Sequence, residues 1–217
     1  MKNKTINVVL AILLSFFALG FTIKFTLNFT PLYAFDVTYL NLDKELGMDK
    51  ATLVKNYKAV TDYIEKSSIK KLSMPDFKMS KQGEIHFEEV KAIFNKIDFM
   101  FYFSIILFAL IFITSKKNKK IDYKFLNISS ILIIMLPALL LIPFAVDFNK
   151  SFVIFHKMFF NNDYWLFDPS TDPIINALPE AYFFHCALLI LSLLCLEFII
   201  LRITKKVARK QFKIENW

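Results

Sequence analysis

Four apolar stretches, roughly 6–29, 97–114, 125–146 and 181–203, constrain this chain more than any other feature of its sequence. A hydrocarbon core of about 30 Å is crossed by about 20 apolar residues of helix, with a range of about 17–25, and each stretch is of that order. Of the 217 residues, 56% are hydrophobic and the mean hydropathy is +0.46, against about 45–50% apolar residues in a soluble domain. The expected fold is an α-helical integral membrane protein with four transmembrane helices. The first stretch opens as MKNK before its apolar run, as a signal peptide would. Lys24 and Asn28 stand where a small-residue cleavage site belongs, so an uncleaved span is expected, with Lys24 snorkelling to the outer interface.

The charges set the expected topology. Basic residues gather at Lys2 and Lys4, at Lys116, Lys117, Lys119, Lys120 and Lys124, and from Arg202 to Lys213, each cluster abutting an apolar run. By the positive-inside rule both termini, the 115–124 loop and the 204–217 tail face the cytoplasm, and segments 30–96 and 147–180 face the other side. The net charge of +8 is therefore a topology signal, and no nucleic-acid partner is expected. With 3 glycines the chain has no glycine-rich phosphate loop, and Cys186 and Cys195, both in the last apolar run, read as small hydrophobes.

Segment 30–96 is expected to form a small mixed α/β extracytoplasmic domain. LYAFDVTYLNL alternates enough for a strand, and KLSMPDFKMSKQG carries turns and a second short strand. Asp49–Lys66 spaces Leu53, Tyr57, Val60 and Ile64 as one face of an amphipathic helix. From His86 onward Phe87, Val90, Phe94, Ile97 and Phe101 keep to one face, so this helix is expected to run on into the second span. Pro137 and Pro143 predict a kink in the third. Segment 147–180 reads as an interfacial helix and loop. Phe152, Phe155, Phe159 and Phe160 give a greasy face, Tyr164 and Trp165 belong at a lipid–water boundary, and Asp172 is placed to cap a short helix starting at Pro173.

The chemistry on offer is sparse. The chain has no HExxH, no cysteine–histidine zinc spacing and no GxSxG elbow. A metal site would have to gather His86, His156 and Glu88 or Asp168 from distant positions, so no metal is expected. A lone histidine near a lipid interface is most often an amphipathic filler, and His185, with only Glu180 as an acidic neighbour, suits that reading best. Glu197, inside the fourth span near Arg202 and Lys205, reads as a snorkelling or paired acid. His86 and His156 allow a sharper reading, in which two imidazoles of unlike environment meet and divide the work of base and acid. His86 follows Gly83 at a helix start, where the positive helix end keeps an imidazole neutral, as a general base must be near pH 7.

Two blocks, FKMSKQGEIHFEEVKAIF and FHKMFFNNDYWLFDPSTDPIINALPEAYFF, each leading into a span, closely resemble the DUF1461 family of integral membrane proteins, to which lipoprotein intramolecular transacylases belong. The resemblance covers nearly the whole chain, including the Tyr-rich helix NYKAVTDYI. It implies transfer of the sn-2 acyl chain of a bacterial lipoprotein's diacylglyceryl-cysteine to that cysteine's own α-amine, at the outer leaflet of the cytoplasmic membrane. It also maps the family's two essential histidines onto His86 and His156. The implied substrate is a diacylated lipoprotein N-terminus among membrane lipid, and the expected enzyme is a monomer with no cofactor. Either histidine can be the base. His86 is favoured, with Glu88 or Glu89 orienting it. Candidates to stabilise the oxyanion are Trp165, Tyr164, Tyr33 and a backbone amide near Gly83. Asp168 and Asp172 are expected to hold the loop through turns and caps. Two rivals make different predictions. A non-enzymatic sensor or accessory protein would keep His86 and His156 apart with no groove between them, and a metal-dependent hydrolase would lose activity to a chelator.

Overall fold

The computed structural model describes residues 4–117 and 123–214, so most of the basic loop expected at 115–124 lies outside the described residues. All regular structure in the described residues is helical: α1 (Lys4–Asn28), α2 (Thr30–Tyr39), α3 (Leu42–Leu46), α4 (Lys50–Glu65), α5 (Lys81–Lys117), α6 (Lys124–Val146), α7 (Phe148–Phe159), α8 (Ile174–Ala177) and α9 (Glu180–Ile214). Three of them, α1, α5 and α9, are long and apolar enough to cross a membrane. In α5 the apolar run is 97–114, and the turns before it carry the charged sequence KQGEIHFEEVKAIFNK. The third expected span falls on α6, which continues as one helix through Pro137 and Pro143.

The chain divides into two compact units. One is built from Met1–Lys24, Ile97–Ile142 and Leu189–Trp217. Its helices meet through small and polar residues, the usual device where lipid removes the hydrophobic drive between helices. Ser15 and Ser129 share a hydroxyl hydrogen bond of 3.1 Å, and Gly20 packs so close to Phe101 that an added Cβ would lie 3.0 Å from its ring. Lys24 does not simply snorkel, since its ammonium pairs with Asp98. Nor does Glu197 turn to the basic tail. Its Oε1 accepts from Thr22 Oγ1 at 3.1 Å, and Arg202 donates instead to Asn127.

The other unit is Phe25–Lys96 with Pro143–Leu188. Its core holds Tyr33, Val37, Leu53, Tyr57, Val60, Tyr63, Phe87, Ile174 and Tyr182. The helix expected over Asp49–Lys66 is α4, and the Asp49 carboxylate caps it by accepting from Thr52 N–H at 2.6 Å. The α/β expectation fails, because neither proposed strand forms. LYAFDVTY is α2, opened by Pro31 in its first turn, and it buries Tyr33, Asp36 and Val37 at helical spacing against α4. The second segment stays irregular because side chains, rather than a partner strand, satisfy its backbone. Asn56 Oδ1 accepts from Asp76 N–H at 3.1 Å, and Asp172 Oδ1 accepts from Ser80 N–H at 2.7 Å.

Candidate active site

The start of α5 positions His86. Ser80 Oγ accepts the Gly83 N–H at 3.0 Å, and Asp172 Oδ1 accepts the Ser80 N–H at 2.7 Å, so the carboxylate of a distant loop fixes where the helix begins. Gly83 is required for this approach, since a Cβ there would lie 2.3 Å from Asp172 Oδ1. One turn on, His86 is buried against Phe160 at 4.8 Å and Phe167 at 5.4 Å, both edge-on. Its Nδ1 has no hydrogen-bond partner, and burial, with a smaller contribution from nearby His156, pushes its pKa down to about 4.

His156 lies on the inward stripe of α7 between Phe152 and Phe160, while Ile154, Phe155, Met158 and Phe159 remain exposed. The single greasy face expected from sequence is therefore two faces, one enclosing the imidazole and one left apolar and open. Asp147 caps this helix, accepting the Lys150 N–H at 3.0 Å. His156 Nδ1 lies 2.8 Å from the Phe152 carbonyl oxygen. A carbonyl only accepts, so Nδ1 carries the proton and Nε2 keeps the lone pair. The Trp165 indole stacks on the imidazole at 4.7 Å and 28°. Burial lowers the His156 pKa, partly offset by the bond to Phe152.

The two rings stand 6.1 Å apart between centroids. They line a narrow groove, open at the surface, whose other walls are Phe87, Phe152, Trp165, Phe167, Ile174, Ile175, Leu178 and Phe183. Apolar clefts with a few convergent polar groups are a usual form of small-molecule sites. Two neutral imidazoles in such a groove can accept a proton and donate a hydrogen bond. Among the described residues no cluster of three or more His, Cys, Asp or Glu side chains offers a metal site.

The other residues singled out from sequence take different places. Tyr33 is in the core, stacked on Tyr57 at 4.3 Å and donating to the Ala177 carbonyl at 3.0 Å, so its hydroxyl is spent away from the groove. Trp165 Nε1–H is spent likewise, on the Asn162 carbonyl at 3.1 Å. Tyr164 is half-buried, with its N–H donating to Asn162 Oδ1 at 3.0 Å. Glu88 is exposed and faces away from His86. Glu89 accepts from Asn162 Nδ2 at 2.8 Å rather than from an imidazole. Asp168 closes an exposed turn through the Ser170 N–H at 2.8 Å. Asp172 does not cap α8, since both its oxygens are taken by Ser80 and Thr171.

Sequence reasoning missed two features. Asn162 joins Glu89, Tyr164 and Trp165, although NND reads only as a turn. His185 is no filler, because its Nδ1 donates at 2.7 Å to Asp36, a carboxylate with no solvent exposure. Burial raises the Asp36 pKa, an effect that His185 opposes.

The described residues thus combine three helices of spanning length with an apolar groove that holds two imidazoles. Known proteins sharpen that description. The family model of the lipoprotein intramolecular transacylase Lit matches residues 8–183. Among solved structures the chain is similar to the membrane integral lipoprotein intramolecular transacylase Lit from Bacillus cereus. The identity is 34% over 97% of each chain, with a TM-score of 0.91. Two variant structures of the Bacillus cereus protein, with one histidine changed to arginine or to alanine, match at 33% and 34% identity. They cover 98% and 97% of this chain and 94% and 95% of theirs, each with a TM-score of 0.87. Curated proteins give no match. The chain belongs to the lipoprotein intramolecular transacylase family and is a membrane acyltransferase.

Proposed function

We propose that the groove moves the sn-2 acyl chain of a lipoprotein's diacylglyceryl-cysteine onto the α-amine of the same cysteine, and that His156 is the base. The observation carrying this reading is the pairing of His156 Nδ1–H with the Phe152 carbonyl, 6.1 Å from the neutral ring of His86. With Nδ1 occupied, Nε2 is the nitrogen able to take a proton from the amine as it attacks the ester carbonyl. The new C–N bond forms and the carbonyl π-electrons move to oxygen. The tetrahedral intermediate then expels the glycerol sn-2 oxygen, which takes the proton back from His156. Amine proton and glycerol proton balance, and no activated carrier enters.

The sequence expectation made His86 the base. A group held near pKa 4 is neutral but too weak to take an amine proton readily. Its better use is as a neutral N–H donor to the oxyanion. Holding amine and ester in one molecule contributes an effective molarity of roughly 10⁵–10⁸ M, and acid–base assistance a further roughly 10²–10⁴-fold. An enzyme nucleophile is then unnecessary. We further propose that α6 is a fourth span, that both termini are cytoplasmic, that the groove opens at the outer leaflet and that the enzyme acts as a monomer.

The experiment is mass spectrometry of a diacylated lipoprotein co-expressed with the protein. The expected product carries one N-linked and one O-linked acyl chain, and His156→Gln abolishes it. A free amine with two O-linked chains in the presence of the wild type overturns the reading.

A further inference from the structure

We propose that the hydrogen bond between Glu89 and Asn162 is the strut that sets the spacing of the two histidines, so that both are positioning residues for the acyl transfer proposed above. Glu89 follows His86 by three residues on α5, so the two side chains share a face. Its Oε1 accepts from Asn162 Nδ2 at 2.8 Å. Asn162 lies just past the end of α7. Its Oδ1 accepts the Tyr164 N–H, folding the chain back on itself, and its carbonyl accepts the Trp165 indole N–H. That indole is the plane stacked on His156. A line of directional contacts therefore runs from the helix carrying His86 to the ring that holds His156 in place.

Apart from the hydrogen bond of His156 to Phe152 within α7, which ties the ring to its own helix only, the contacts around the two imidazoles are apolar packing, mostly ring against ring, with Phe160 touching both. Such contacts fill space but tolerate sliding, whereas a hydrogen bond to a charged acceptor fixes distance and direction. Asp172 makes the other tie between this loop and α5, at the helix start. Asp172 and Asn162 thus bracket His86, and only Asn162 also touches the partner of His156. Glu89 Oε2 is buried with no hydrogen-bond partner. An unpaired buried carboxylate oxygen works against folding. Its presence beside the groove fits a residue kept for geometry at the expense of stability.

The test uses the full-length protein in detergent with a synthetic diacylated lipopeptide, following N-acyl product by mass spectrometry. Glu89→Ala and Asn162→Ala are each expected to lower kcat about 10–100-fold with KM within about twofold, the scale of a misplacement near 1 Å. The double variant is expected to be no worse than either single one. Glu89→Gln, whose amide oxygen still accepts from Asn162, is expected to keep kcat within about threefold. ¹⁵N spectra of the His156 ring give a readout independent of turnover, shifted in Glu89→Ala and unmoved in Glu89→Gln. Where an alanine variant does not yield monodisperse protein, Glu89→Asp, one methylene short of Asn162, carries the same expectation. Wild-type kcat in Glu89→Ala, additive losses in the double variant, or unshifted ring nitrogens overturn the strut. A wild type that makes no N-acyl product overturns the transacylation reading instead, and the ring spectra still decide on the strut.

Discussion

Gly83→Ala isolates the contact on which the start of α5 depends. The new methyl group would lie 2.3 Å from Asp172 Oδ1, 3.1 Å from its Cγ and 3.2 Å from Met79 Cγ. No real Cβ contact is that short, so the carboxylate must leave the Ser80 N–H. Losing a hydrogen bond to a charged acceptor costs about 1.5–3 kcal/mol, and displacing packed neighbours typically about 1–3 kcal/mol. Alanine recovers up to about 1 kcal/mol through helix propensity. The expected net loss is roughly 1.5–6 kcal/mol, read as a lower Tm of the detergent-solubilised protein, with a matching fall in acyl transfer because His86 lies in the next turn. The same change in an Asp172→Ala background meets no carboxylate, only the tight but flexible Met79 side chain, and should cost much less. Equal losses in both backgrounds, or a Gly83→Ala protein as stable and active as wild type, would refute the close-approach argument.

The low pKa of His86 makes stability depend on pH. Its folded value near 4 lies below the usual 6.5, so the unfolded chain binds more protons between these values and stability falls as pH drops from 6.5 towards 4. The loss from this group approaches about 3 kcal/mol at the acid end, and Tm against pH should flatten over that window in His86→Phe. The kcat/KM for acyl transfer should show no acid limb at 6.5 from His156, whose pKa is lowered, and should instead follow the free substrate amine at about 7.7–8.0; a limb at or above 6.5 that moves in His156 variants would contradict this. Tyr33→Phe loses only the bond to Ala177, so it should cost about 1 kcal/mol of stability and leave kcat unchanged; a large fall in kcat would restore Tyr33 as an oxyanion donor. His185→Phe strips the buried Asp36 carboxylate of its donor and should cost roughly 3 kcal/mol or more, whereas Asp36→Asn, which keeps a polar partner, should cost less in the same unfolding measurement.

What could be read from the sequence was whatever repeats at short range. Helix α4, the run of α5 from His86 into apolar sequence, α7, and the start of α9 after Pro179 all follow local periodicity and capping. Helix α2 was misread because LYAFDVTY alternates well enough for a strand. The fact that decides for helix is the burial of Asp36, whose partner is 149 residues away. No local pattern places an acid in a core. The meeting of histidines 86 and 156 could be offered from residue chemistry as one reading, but only the family resemblance favoured it over two fillers, since spacing alone cannot bring such distant positions together. Helical geometry could have separated Glu88 from Glu89, because only a residue three positions from His86 shares its face. Asn162 had no signal beyond a turn, as its role depends on an indole, a backbone amide and a carboxylate that converge in three dimensions.

The grease around His156 and the poverty of catalytic groups have one explanation. A groove walled by phenylalanine, isoleucine and leucine lowers the pKa of both imidazoles, His86 far enough to remain neutral throughout the physiological range. The same desolvation acts in the same direction on the α-ammonium of a bound substrate, because it too is a cation that exchanges water for hydrocarbon. In the transfer proposed above, the groove would help make the free amine, and His156 would have only to take the proton released as the C–N bond forms. A carboxylate among these walls would pair with the ammonium and hold it charged. The ten residues lining the groove include none, and the nearest acids of α5 are turned elsewhere, Glu89 to Asn162 and Glu88 to solvent. Apolar walls that would be an obstacle to most acid–base enzymes would thus suit the proposed intramolecular transfer, in which nucleophile, ester and leaving group arrive together on one lipid-anchored substrate.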